Sequence, residues 1–202
     1  MRKQPIYQPS VKNTSLRQGE ILTNVVQYRP TVNGSSQLLE EITFDMIVHP
    51  YAIVVTQDCD LDWDYRAREE NRGPSTKLLN SVILCEIDTA KGVRAIEDKG
   101  TMNSNEWNLV KTQRHERYYF FEKIPVECEL GQIGLPELTA DFKKIFGIDS
   151  ADLYRQIDSD RAKRRALLTS PYLEHFSRRY YSFHGRVALP AQYESDRGVS
   201  GG

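Results

Sequence analysis

Two short apolar runs dominate the hydrophobic pattern of the chain. Residues 52–55 form the first run and lead into the polar sequence Thr-Gln-Asp-Cys-Asp, and residues 82–85 lie at the centre of the second. Apolar runs of this length, flanked by polar and turn-forming residues, predict buried strands. We therefore expect residues 52–56 and 82–87 to be central strands of a sheet.

Strict alternation marks a further strand. Every second residue from Ile42 to Val48 is apolar, which predicts a half-buried strand over residues 38–48. Pro50 has no backbone N–H, so we expect it to separate this strand from the next one. The aromatic residues 118–121 also have the composition of a strand.

The pattern changes beyond residue 136. Apolar residues recur at helical spacing over residues 138–146, which predicts a helix there. Asp149 fits the N-cap of a second helix over residues 150–157. Residues 160–168 are predicted to be helical as well, and their basic side chains could either contact nucleic acid or form a solvated helix face.

A last helix is predicted from Ser170-Pro171 to His184, because proline suits the first helical position. We expect its apolar stripe to pack on the sheet while Arg178 and Arg179 face solvent. The stripe consists of Leu173, Phe176, Tyr180 and Phe183.

Strands in the front two thirds and helices in the last third predict an α+β fold, with helices on one face or end of a small antiparallel sheet or barrel. The chain then divides into four parts. We expect an N-terminal arm at 1–17, a β-rich domain at 18–135 with a polar insertion at 58–76, a helical extension packed on it at 136–190, and a disordered tail at 191–202.

Composition narrows the class of protein. The 202 residues are 39% hydrophobic and 27% charged with a net charge of −1, which suits a soluble globular protein and gives no overall field toward nucleic acid or membrane. No apolar run approaches the ~18–20 residues that cross a bilayer, and the N-terminus lacks the apolar core of a signal peptide. We therefore expect a cytoplasmic protein without membrane contact.

The three cysteines are odd in number and form no Cys-x-x-Cys pair, so we expect reduced thiols and no structural zinc or other cofactor. Asp58, Cys59 and Asp60 nevertheless follow a predicted buried strand, where a rigid scaffold could present catalytic groups. They could form a thiol- or metal-dependent site. Alternatively, Asp58 closes an Asx turn and Cys59 packs as a small hydrophobic residue.

A second candidate site lies at residues 114–117, Arg-His-Glu-Arg. His115 could transfer a proton near neutral pH, while Arg114 and Arg117 could bind a phosphate. Cleavage of RNA by its own 2′-hydroxyl needs these two functions and no metal. The alternative is a charged turn whose arginines pair with nearby carboxylates.

Three segments together resemble the MazF/PemK toxin family. They are Gly-Glu-Ile at 19–21, His49-Pro50 before the first apolar run, and Leu-Cys-Glu-Ile-Asp-Thr at 84–89. The family usually has Gly-Asp-Ile or Gly-Asp-Val, Arg-Pro, and Val-Cys-Pro-Ile-Thr at these places, and the likeness covers residues 18–125. The chain also resembles bacterial proteins with a Thr-Gln-Asp-Cys-Asp element, a likeness that implies no particular chemistry.

The resemblance implies an SH3-like barrel and, as in several members of the family, cleavage of single-stranded RNA. His49 stands where the family has an arginine linked to cleavage, and Thr89 matches the family's threonine. The first hypothesis is therefore an RNA-binding or RNA-cleaving protein that uses His49 and His115 for proton transfer, Arg114 and Arg117 for phosphate, and Thr89 for positioning. A non-catalytic module that docks a partner protein at the barrel groove or at the helix 170–183 is the second, and a site at Asp58, Cys59 and Asp60 is the third.

Overall fold

A computed structural model describes residues 5–32, 42–69, 75–95 and 102–187. Within these ranges the chain forms one seven-stranded antiparallel sheet of order β1-β7-β2-β3-β4-β6-β5. The strands are β1 (Tyr7–Pro9), β2 (Glu20–Val32), β3 (Ile42–Val54), β4 (Ser81–Thr89), β5 (Tyr118–Phe121), β6 (Leu138–Asp149) and β7 (Lys163–Leu168). The helices are α1 (Asp58–Glu69), α2 (Ala90–Arg94), α3 (Ser104–Lys111), α4 (Ser150–Asp158) and α5 (Tyr172–His184).

The mixture of helices and one antiparallel sheet confirms the predicted α+β class. The sheet is open, with β1 and β5 as its edge strands. The sheet curves so that these edges approach each other. The Tyr7 hydroxyl donates a hydrogen bond to the carbonyl of Glu122, just after β5, at 3.0 Å. None of the helices in the described ranges is long and apolar enough to cross a membrane.

The predicted central strands are confirmed. Apolar side chains pack on both faces of these strands. Successive strand residues point to opposite faces, so Ile53 packs with α5 whereas its neighbour Val54 packs with α1 and α4. On the first side, the stripe of α5 covers the sheet with Phe176, Tyr180 and Phe183. On the second side, Leu61 of α1 and Leu153 of α4 complete the core.

Helix α4 begins as predicted, since the Asp149 side chain accepts a hydrogen bond from the Asp152 N–H at 2.9 Å. Helix α5 is confirmed, but it begins at Tyr172, because Pro171 is its N-cap and not its first helical residue. Arg179 also differs from the prediction, since it does not face solvent but donates to the backbone carbonyls of Gln113, His115 and Tyr118.

Two predicted helices are wrong. Residues 138–146 lie in β6, which pairs with both β4 and β5, and residues 163–168 form β7 between β1 and β2. Apolar residues four positions apart fit the helical period and the strand period of two equally well, so the spacing was ambiguous. The region 136–190 is therefore not a helical extension, because it supplies two strands to the same sheet as the front of the chain.

The front of the chain differs from prediction in three places. Residues 7–9 of the expected arm pair with β7 as an edge strand. The polar insertion begins directly with helix α1. Strand β3 runs unbroken through Pro50, because pairing with β4 begins only at Tyr51 and the residue opposite Pro50, Asn24, has a left-handed φ of 58°. The predicted disordered tail, 191–202, lies outside the described residues.

Strands β2 and β3 extend well past their other neighbours. Strand β7 pairs with β2 only over residues 20–23, and β4 pairs with β3 only over residues 51–54. Residues 24–32 and 42–50 therefore form a projecting two-stranded ribbon. The predicted half-burial of this segment is wrong for Phe44 and Met46, which are 65% and 63% exposed.

Candidate functional site

The structure gives Asp58 a structural partner. This residue begins α1, and its carboxylate accepts hydrogen bonds from Arg17 Nε at 3.0 Å and from the Gln18 N–H at 2.7 Å. Asp58 therefore ties the N-terminal segment to the start of α1. Carboxylates in the first turn of a helix also suit its dipole.

Cys59 is exposed beside Asp58, and its Sγ lies 3.8 Å from Gln57 Oε1 and 3.6 Å from Asp60 Oδ1. These neighbours are a neutral amide and a carboxylate, whereas a cationic neighbour is what favours a reactive thiolate. Among the residues the structure describes, no group of three or more His, Cys, Asp or Glu side chains could hold a metal ion.

His49 lies in β3 and is 6% exposed. Its ring stacks on that of Phe146, with the ring centroids 3.7 Å apart. Its Nε2 lies 3.4 Å from Gln27 Oε1 and its Nδ1 lies 3.8 Å from Glu86 Oε2. Burial lowers the pKa of His49 despite the nearby Glu86 carboxylate. The imidazole is thus a packed, neutral ring.

His115 has a different set of contacts. Its Nδ1 accepts from the Arg117 N–H at 3.2 Å, and its Nε2 lies 3.8 Å from Glu106. Burial lowers its pKa as well. Arg117 forms a bidentate pair with Asp141, so its guanidinium is already occupied, while Arg114 is exposed.

Thr89 caps helix α2, because its hydroxyl accepts from the Gly92 N–H at 3.1 Å. The contacts of Thr89, His49, Cys59 and His115 do not overlap. The structure therefore places the predicted site residues in separate environments rather than around one pocket.

The described residues also line a large cavity elsewhere. It is an open cleft of about 1180 Å³, lined by residues 12–14, the end of α1, the loop 130–133 and residues 154–165 from α4 to β7. Large concave sites of this kind are where proteins usually bind small molecules or extended ligands. We call it the β7 cleft.

Two consecutive arginines form the floor of the β7 cleft. Ile21 pairs with Ala166 whereas Leu22 pairs with Arg164, so Arg165 is the extra residue of a β-bulge. A bulge reorients the side chains beside it, and bulges are common next to functional sites. It brings Arg164 and Arg165 to the same cleft, although neighbouring strand residues normally point to opposite faces.

Each arginine is anchored by a buried glutamate. Arg164 donates to both carboxylate oxygens of Glu20, at 2.6 and 2.8 Å, and to the backbone carbonyls of Thr14 and Ser15. Arg165 donates to Glu129 and, at 3.3 Å, to the Thr23 hydroxyl.

Arg165 retains one unused donor. The residue is 8% exposed, and within the described parts of the chain its buried Nη2 has no hydrogen-bond partner. A buried guanidinium N–H without an acceptor is costly. An acceptor that reached this atom would therefore be bound favourably.

Glu129 organises the adjoining wall. Its carboxylate accepts from the N–H groups of Gly131 and Ile133, at 2.7 and 3.1 Å, in addition to Arg165. Burial opposes ionisation, but these hydrogen bonds outweigh it and lower the pKa of Glu129. The carboxylate is thus held ionised and fixes the loop 130–133 against the arginine.

The rim of the cleft carries both signs of charge. Lys12 and Lys163 are exposed cations, and Glu69, Asp158 and Asp160 are carboxylates at the same rim. Tyr65 and Tyr154 supply aromatic surface, with ring centroids 5.7 Å apart. The cleft thus combines two arginines paired with buried glutamates, aromatic surface and hydrogen-bond acceptors.

Comparisons of the chain with protein-family models, with curated proteins and with solved structures find no match. The sequence contains a signal for the cleft, because four of the five residues from Arg161 to Arg165 are basic. The burial of Arg164 and Arg165 cannot be predicted from this run, since Glu20 lies 144 residues from Arg164.

Proposed function

We propose that the protein binds single-stranded RNA through the β7 cleft. The observation that carries this proposal is Arg165, a residue of the cleft lining with a buried and unpartnered Nη2, together with the exposed cations Lys12 and Lys163 of the same lining. A guanidinium with a free donor favours a phosphate oxygen, and lysines add attraction along a backbone.

The other groups of the cleft favour RNA over a simple anion. The carboxylates Glu69, Asp158 and Asp160 would repel a bare phosphate, but they can accept hydrogen bonds from ribose 2′-hydroxyls and base amino groups. The ring of Tyr65 or Tyr154 can stack on an unpaired base, which is tolerant of sequence. The cleft volume of about 1180 Å³ leaves room for more than one nucleotide.

The proposal is for binding rather than cleavage. The described residues that line the cleft include neither histidine nor cysteine. The histidines of the expected cleavage scheme, His49 and His115, make their contacts outside this set. The meeting of the sheet edges at Tyr7 and Glu122 supports an SH3-like curvature, which we retain as part of the proposal.

The test is fluorescence anisotropy with a labelled single-stranded RNA of mixed sequence, measured over a series of salt concentrations. The double variant Lys12→Glu/Lys163→Glu reverses two rim charges without touching the buried ion pairs. Each lost phosphate contact lowers the salt slope by ~0.7 for single strands, so we expect a slope about 1.4 smaller and affinity weakened at least tenfold.

A matched double variant, Lys77→Glu/Lys123→Glu, makes the same charge change at exposed lysines outside the cleft. It should retain wild-type affinity. Equal loss in both double variants would mean that RNA responds only to net charge, and no binding by wild type would refute the proposal. DNA of the same sequence should bind more weakly, because it lacks the 2′-hydroxyls that the rim carboxylates accept from.

A further inference from the structure

Helix α5 brings together two arginine-containing segments that are distant in sequence. The Arg179 guanidinium donates to three backbone carbonyls at the approach to β5, those of Gln113, His115 and Tyr118. Arg178 precedes it in the helix, and Arg114 lies within the segment that it contacts. We call residues 113–118 and 175–179 together the α5 junction.

Three arginines of the α5 junction have no carboxylate partner. Within the described parts of the chain, none of Arg114, Arg178 and Arg179 forms an ion pair. Arg114 and Arg178 are exposed, whereas Arg179 is partly buried. Charged side chains are rarely buried unless they are paired. The charge of Arg179 therefore lacks the neutralisation that buried glutamates give to the arginines of β7.

The acidic side chains around the junction do not supply this neutralisation. Three of them, Glu106, Glu116 and Asp141, already face other cations, which are His115, Arg186 and Arg117 respectively. Glu174 is the one acidic residue of α5, and it is exposed one turn before Arg178. Positive charge therefore exceeds negative charge at the junction.

His175 registers this excess of positive charge. Its pKa is lowered by desolvation, and then by the neighbouring Arg179 and Arg178. Its Nδ1 lies 3.1 Å from the Tyr119 hydroxyl. Desolvation also lowers the pKa of the Arg179 guanidinium. An anion bound at this place would offset both the desolvation and the repulsion between the cations.

We propose that the α5 junction binds a phosphate monoester as its dianion, through Arg114, Arg178 and Arg179 with His175 beside them. The three carbonyls occupy Nη1 and Nη2 of Arg179, so its Nε–H remains for a phosphate oxygen. Guanidinium groups suit phosphate oxygens in geometry and charge. Three unpaired guanidiniums match a dianion better than the single charge of a phosphodiester. The site is separate from the β7 cleft, because none of these residues lines that cleft.

Titration of the full chain with inorganic phosphate, at pH 8 and constant ionic strength, tests this site. Amide signals of the α5 junction in ¹H–¹⁵N spectra should shift and saturate. Dimethyl phosphate, a monoanionic diester like the backbone of a nucleic acid, should bind about tenfold more weakly or worse. Equal affinity for the diester would overturn the assignment to a monoester. Shifts confined to residues of the β7 cleft would overturn the site itself.

The double variant Arg114→Gln/Arg178→Gln removes two guanidiniums and leaves the contacts of Arg179 in place. It should weaken phosphate binding by about tenfold or more. The matched control is Arg66→Gln/Arg155→Gln, which makes the same charge change at exposed arginines of α1 and α4. The control should bind phosphate like the wild type. Undiminished binding by the first variant would overturn the proposal, and so would equal weakening in both, since phosphate would then respond only to net charge.

Discussion

The β7 cleft and the projecting ribbon both depart from the usual pattern, in which charged side chains are exposed and large apolar side chains are buried. Strand β7 buries two consecutive arginines, with Arg165 only 8% exposed, whereas the ribbon leaves Phe44 65% exposed. Charged residues are rarely buried unless paired, and large apolar side chains are usually internal. The same sheet contains both exceptions, on the two strands that flank β2.

The difference arises from what each strand has beside it. Arg164 can be buried because Glu20 and two backbone carbonyls accept its donors. Phe44 is exposed because β4 pairs with β3 only from Tyr51 onward, so none of the described strands pairs with β3 beside Phe44 except β2. Neighbouring elements, rather than the polarity of the residue itself, decide burial at both places.

The largest loss of unfolding free energy should come from breaking the buried ion pair between Arg164 of β7 and Glu20. Arg164→Ala leaves the Glu20 carboxylate buried without its partner, which typically costs about 3–5 kcal/mol of unfolding free energy. Urea denaturation followed by circular dichroism measures this loss. Lys163→Ala, one residue away and exposed, should stay within about 0.5 kcal/mol of wild type. A loss below about 1 kcal/mol for Arg164→Ala would mean that Glu20 finds water or another donor.

A smaller change in unfolding free energy should appear when the pH is lowered. Burial lowers the pKa of His49, His115 and His175 in the folded protein, although Glu86 and Glu106 partly oppose this at the first two. The unfolded chain therefore binds protons first, and stability should fall as pH drops below the unfolded value of about 6.5.

Urea midpoints measured between pH 7.5 and 5 test this expectation, in a window above the titration of ordinary carboxylates. His49→Gln removes the most buried of the three rings and should flatten the slope. His184→Gln, at the exposed end of α5, serves as the control. Stability that rises toward pH 5 would contradict the lowered pKa of these three histidines.

Local signals in the sequence predicted the parts of the fold that depend on neighbouring residues. The apolar runs at 52–55 and 82–85 correctly predicted the middle of the sheet, and Asp149 correctly marked the start of α4. Residues 138–146 were misassigned because their apolar spacing of four suits both a helix and a strand.

The cleft could not be predicted, because it depends on contacts distant in sequence. Arg165 meets Glu129 36 residues away and Arg164 meets Glu20 144 residues away. The bulge that brings the two arginines together depends on the register in which β2 pairs with β7. No local pattern in a single sequence specifies such a register.

The smallest change in unfolding free energy should come from truncating an exposed side chain of the ribbon. Phe44→Ala removes an aromatic ring that is mostly in solvent, so it should change the unfolding free energy by no more than about 0.5 kcal/mol. Phe176→Ala is the matched control, because the same truncation at a fully buried ring of α5 should cost about 3–5 kcal/mol. Both are measured by urea denaturation. A loss of more than about 2 kcal/mol for Phe44→Ala, in the range of a buried side chain, would show that the ribbon face is covered within one chain. That result would remove the contrast with β7.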